Sequence, residues 1–158
     1  NIVMLRQIKD ALFVKNKMDE KQEKNNYDEV EIAIAALLVE AACSDGVFDD
    51  EERKSIKAIL GSYYKLSDEK IESLILEAED VVQDSAQIYG FTKLVKDTYE
   101  NDRRIELIEM LWEVVFADGK ADAFEQNLIQ RVAGLIFVSD KDRGLARKRV
   151  VDRLGINA

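Results

Sequence analysis

Carboxylates dominate the residues of this chain that could do chemistry, and they gather in two short stretches. One is SDGVFDDEE, from Ser44 to Glu52, and the other is ADGKADAFE, from Ala117 to Glu125. Both contain the frame Asp-Gly-x-x-Asp-x-x-Glu, built by Asp45, Asp49 and Glu52 in the first and by Asp118, Asp122 and Glu125 in the second. This spacing reproduces the second half of an EF-hand calcium loop. There an acid precedes the turn glycine, the next residue offers its carbonyl, and a glutamate closes the loop with both oxygens. The carbonyls would come from Val47 and Lys120. The two leading acidic positions of an EF-hand fall on Ala41 and Cys43 in one stretch, and on Val114 and Phe116 in the other, so neither is an EF-hand. Each turn offers about 4–5 oxygens where calcium takes about 6–8. Any affinity for calcium or another divalent cation is expected to be weak, with water, Glu40, Glu113 or the opposite turn needed to complete the shell.

The same residues also suit plain helix punctuation. Asp49 with Glu52, and Asp122 with Glu125, fit an N-cap and its acidic partner three residues later, for about 1 kcal/mol each. Gly46 and Gly119 are suited to ending the preceding helices. A cation site and a purely structural adaptor whose acids only cap helices are therefore both open. A carboxylate metalloenzyme is a third reading, and it requires both turns to face one cleft with metals about 3.5–4 Å apart.

The residues that are missing argue against catalysis. There is no histidine, no glycine-rich phosphate loop and no nucleophile elbow, and Cys43 is the single thiol. No catalytic residue is assigned, and a non-enzyme is expected. The formal net charge of −9, from 23 basic and 32 acidic residues, repels phosphate backbones, so nucleic acid is not an expected partner. One cysteine allows no internal disulfide, which suits a reducing compartment. No apolar run approaches the ~20 residues of a membrane span. The cytoplasm is the expected location.

Helices must position these turns, because 158 residues with no proline and 7 glycines leave little to interrupt them. Ile2, Leu5, Ile8 and Leu12 have helical spacing, and a charged stretch over 15–26 reads as a linker. A second helix runs from Tyr27 through Val30, Ile34, Leu37, Leu38 and Ala41 to near Gly46, and a third carries Ile56, Ile59, Leu60 and Tyr63. Ser67 caps a fourth with Ile71, Leu74, Ile75 and Ala78 inward. Helices over 84–99, 105–117 and 124–138 follow, with a last one capped by Ser139. The fold class is all-α: about eight helices, with 27–158 as the helical domain.

The offset of 73 residues (118 − 45) that relates Asp45 to Asp118 also pairs Glu40 with Glu113, Leu38 with Leu111 and Ile56 with Ile129. A three-helix unit over 28–82 thus recurs over 101–154. An internal duplication with a pseudo-two-fold arrangement is expected.

Paired SDGVFDDEE and ADGKADAFE turns, each after an apolar helix, resemble the tellurite-resistance TerB-like family of bacterial all-helical domains. The resemblance covers about 28–154. It implies a cytoplasmic, non-enzymatic module of tellurite and other stress resistance, with protein partners in membrane-associated complexes. It also implies that Asp45, Asp49, Glu52, Asp118, Asp122 and Glu125 form the cation site.

Trp112 reads as a core or helix-interface residue, and Cys43 as a small apolar one. The last helix carries Arg143, Arg147, Lys148, Arg149 and Arg153. They read as a solvated basic face or, alternatively, as a contact for an acidic partner or anionic lipid. The N-terminal amphipathic segment either docks on the domain or makes a homodimer.

Overall fold

Every residue over 33–39 is buried. A helix that is apolar all round must be surrounded by other elements rather than lie on a surface. This central helix is α1, Asp28–Ala42. The computed structural model describes residues 28–43, 46–84, 88–117 and 123–156. Six further helices follow: α2 (Asp50–Tyr63), α3 (Asp68–Asp84), α4 (Ile88–Thr98), α5 (Asn101–Phe116), α6 (Ala123–Leu135) and α7 (Asp140–Leu154). All secondary structure among the described residues is helical, as expected. The helix expected over 2–14 and the linker over 15–26 lie outside the described residues, so seven helices are seen where about eight are expected.

α1 packs on α2, α3, α4 and α5, and α5 packs in turn on α2, α6 and α7. The first three helices associate with one another, as do α5, α6 and α7. The two trios differ in their surroundings. α4 packs on α1 and also reaches α6. Val39 and Ala36 of α1 are buried among apolar groups, whereas Trp112 and Glu109 of α5 meet arginines of α7.

Local signals set the helix ends. Ser67 Oγ accepts from Lys70 N–H at 3.2 Å and Ser139 Oγ from Asp142 N–H at 3.1 Å, so both expected caps are present. Arg104 closes the opposite kind of end. Its guanidinium donates to Tyr99 O at 2.6 Å and Lys96 O at 3.1 Å, with a longer 3.5 Å contact to Ile136 O. Carbonyls orphaned at the ends of α4 and α6 thus converge on one cation, where the helix dipoles favour positive charge.

Candidate cation turns

The first turn leaves α1 and opens α2. Gly46 has φ +84°, a left-handed conformation that glycine adopts without steric cost. The chain then extends to Asp49, which caps α2: its Oδ1 accepts from Glu52 N–H at 2.8 Å. Asp50, Glu51 and Glu52 fill the first turn of that helix, where its dipole favours anions. Phe48 is fixed by the guanidinium of Arg53, 5.1 Å from the ring centroid, and Arg53 also pairs with Glu79 of α3. The loop is therefore tied to α3, and a guanidinium stands one residue beyond Glu52.

At the second turn, Glu125 lies in the first turn of α6 and is only 5% exposed. Burial of a carboxylate is expensive without polar or cationic company, and Glu125 is more deeply buried than Asp49 or Glu52. Asp45, Asp118 and Asp122 lie outside the described residues, so each frame is seen in part: Asp49 and Glu52 on one side, Glu125 on the other. Among the described residues no three Asp, Glu, Cys or His side chains come together as a metal-holding group. The donors that are seen are all carboxylate oxygens, which suit a hard cation such as calcium or magnesium better than a thiophilic one. Asp49 keeps a second oxygen beyond the one used as a cap.

Glu113, a candidate to complete the second shell, is engaged elsewhere. Arg153 donates to its Oε1 from Nε at 3.1 Å and from Nη2 at 2.9 Å, and the same Nη2 donates to the Tyr63 hydroxyl at 2.7 Å. One turn earlier on both helices, Arg149 Nε donates to Glu109 Oε1 at 3.1 Å. Arg147 sits 5.5 Å from the ring centroids of both Trp112 and Phe116, which are themselves stacked 5.6 Å apart. Arg147, Arg149 and Arg153 of the basic run thus reach side chains of α5 while Arg149 and Arg153 stay about half exposed. The expected solvated face is therefore present at Arg149 and Arg153, with intramolecular acids as additional partners. The signal for the ladder was available in sequence: Glu109 and Glu113 are four apart, as are Arg149 and Arg153, so both pairs align when α5 and α7 pack.

Trp112 is buried at the α5–α7 interface, as expected, and Cys43 is half-buried beside the core. Burial pushes the Tyr63 hydroxyl up to about 12, with the nearby Glu113 carboxylate adding to the effect. Tyr64 is raised further by burial and by its neighbour Tyr99.

Among the described residues, acidic side chains stand in the first turns of both α2 and α6 of an all-helical domain. The model of one family, tellurite resistance protein TerB, matches residues 31–148, and the chain belongs to that family. Comparison with curated proteins and with solved structures returns no match. No helix among the described residues is long and apolar enough to cross a membrane.

Proposed function

We propose that this chain is a non-catalytic helical module of a bacterial tellurite- and stress-resistance system that binds a divalent cation at two acidic turns. Family membership over 31–148 supports the association with tellurite resistance, and the absence of histidine and of any nucleophile or phosphate-loop motif from the sequence supports a non-catalytic role. Cation binding is supported by the start of α2, where Gly46, Asp49 and Glu52 stand in the order of an EF-hand's closing half. Buried Glu125, at the matching place in α6, supports a second site of the same kind. The like pairing of α1 with α3 and of α5 with α7 favours an internal duplication as the origin of the two turns. Cation occupancy would stiffen the turns and change the charge that the module shows to protein partners in the cytoplasm.

The hydrogen bond from Glu52 N–H to Asp49 Oδ1 supports a second reading, in which the acids only cap helices and the protein is a structural adaptor. Calorimetric titration with calcium separates the two. Saturable heat that disappears in the Glu52→Gln, Glu125→Gln double variant supports the cation module. Absence of heat, with unchanged thermal stability at millimolar calcium, leaves the adaptor.

A further inference from the structure

Two exposed aromatic residues stand on one strip of the surface, and one of them occupies a backbone conformation that favours glycine. α6 ends in a Schellman turn, in which Val138 N–H donates to Ala133 O at 2.9 Å and Phe137 N–H to Gly134 O at 3.4 Å. This places Phe137 at the left-handed position, with φ +60°. α7 ends in the same motif, with Ile156 N–H on Val151 O and Gly155 N–H on Asp152 O, but there the left-handed residue is Gly155. Phenylalanine is disfavoured in this conformation because its Cβ crowds the following carbonyl oxygen. Burial does not offset the penalty, since Phe137 is 70% exposed.

The surroundings of Phe137 are cationic. Lys96 Nζ lies 5.0 Å from its ring centroid. On α4, Lys96 shares a face with Lys93 and Tyr89 at helical spacing, and Tyr89 is 68% exposed. Asp97 is the single carboxylate of α4. The hydrogen bonds from Arg104 to the carbonyls that end α4, together with its longer contact to Ile136 O, join that end to the end of α6. Ring and ammonium are therefore displayed as one pre-organised unit. The rest of the chain offers the complementary surface: Val47 is 60% exposed, and Asp49, Asp50 and Glu51 beside it are exposed carboxylates.

We propose that the strip of Tyr89, Lys93, Lys96 and Phe137 is a self-association surface that docks on the acidic turn over 47–51 of a second copy. The lysines face the carboxylates while the aromatic rings cover Val47. Charge complementarity argues for a second copy as the partner, because Lys93 and Lys96 would meet an acidic turn on a chain whose net charge is −9. The contact joins different patches, so it extends into longer assemblies unless two copies close on each other. Its charged part weakens with salt.

Sedimentation velocity of the full chain over a concentration series, at low and high salt, tests this. The expected result is a mass that rises with concentration, less so at high salt. Phe137→Gly and Lys96→Glu should each weaken association by about tenfold or more. Mixing Lys96→Glu with Asp50→Lys should restore it. Phe137→Gly should fold, since glycine suits its conformation, and a thermal melt verifies this. A chain that stays monomeric to millimolar concentration at low salt overturns the proposal. So does association that both substitutions leave unchanged.

Discussion

Arg153 holds Glu113 through two donors on a single carboxylate oxygen, Nε at 3.1 Å and Nη2 at 2.9 Å. The side chain of Glu113 is 11% exposed and that of Arg153 is 45% exposed, so a nearly buried acid is covered by a half-exposed base. The pair belongs to a short ladder, because Arg153 Nη1 also lies 3.6 Å from Glu109, the acid held by Arg149. Tyr63 extends the ladder to α2. Three helices from both halves of the chain thus meet at one guanidinium.

Removing that guanidinium should leave two poorly hydrated carboxylates side by side. Arg153→Ala is expected to lower stability by about 1–3 kcal/mol, in the range for uncovering a buried charged acceptor. Urea unfolding of Arg153→Ala, Glu113→Gln and the double variant should give a coupling of about 0.5 kcal/mol or more. Additive losses would mean that the pair acts only through packing.

Alkaline pH should weaken the fold through the same place. Tyr63 is held up to about 12, chiefly by burial, and Tyr64 is also raised. Below about pH 10 both hydroxyls are protonated in the folded and unfolded chain alike, and their contribution is complete. Above that, the unfolded chain releases its protons first, so stability falls as pH rises toward the folded-state value. Tyr63→Phe should make this decline shallower by about 1 kcal/mol, a figure reduced for the partial exposure of the ring. Unfolding free energies at about pH 9 and pH 11 measure the difference, and parallel slopes in the two proteins would contradict it.

Arg104 should tolerate no substitute. Arg104→Met removes the donor to Lys96 O and Tyr99 O, and is expected to cost about 2–3 kcal/mol. Arg104→Lys should recover less than half of that, because one ammonium cannot reproduce a planar fork spread over several carbonyls. Thermal melts of both variants decide the matter, with equal stability of Lys and Arg as the contrary result.

The apolar periodicity of α1, α2, α3 and α5 made the all-helical fold legible in sequence, since Ile34, Leu38, Ile56, Ile71 and Leu111 lie buried where spacing puts them. Ser67 and Ser139 were equally legible, because a cap is a local matter. Arg104 was not. Its carbonyl partners are set by how α4 meets α6, and no spacing in the chain encodes that angle. The pairing of Arg149 and Arg153 with Glu109 and Glu113 has a matching four-residue spacing on each helix, but that spacing becomes a pairing only once α5 is known to pack on α7. At the acidic turns, the cap at Asp49 follows directly from the sequence pattern. Cation binding depends on how several carboxylates converge in space, which linear spacing does not specify.

The two Schellman turns make a controlled comparison of one backbone conformation. Phe137 and Gly155 have φ of +60° and +66°. Phe137→Gly should stabilise the protein by about 0.5–1 kcal/mol, because left-handed strain exceeds what the exposed ring gains from Lys96. Gly155→Ala should destabilise it by about 1 kcal/mol, with open space around the new Cβ leaving conformation as the cause. Melting temperatures that move together, rather than in opposite directions, would show that contacts outweigh conformation at one of the two sites.

Asp49 distinguishes capping from cation binding within a single side chain. Its Oδ1 accepts from Glu52 N–H at 2.8 Å, and asparagine retains an oxygen for that bond. Asp49→Asn is therefore expected to keep stability within about 0.5 kcal/mol in the absence of calcium, whereas Asp49→Ala should lose about 1 kcal/mol. If the turn binds a cation, Asp49→Asn should still weaken calcium binding, because the charge that attracts the ion is gone while the cap remains. The emission of Trp112, the one tryptophan, gives an independent readout at the second turn. It lies one helical turn before the end of α5, stacked on Phe116 and covered by Arg147. Calcium occupancy near Glu125 should shift its emission in wild type and in Asp49→Asn alike, since the two turns stand on different helices. A calcium response lost from both signals in Asp49→Asn would mean that the turns build one shared site, and no response in either protein would leave Asp49 as a cap alone.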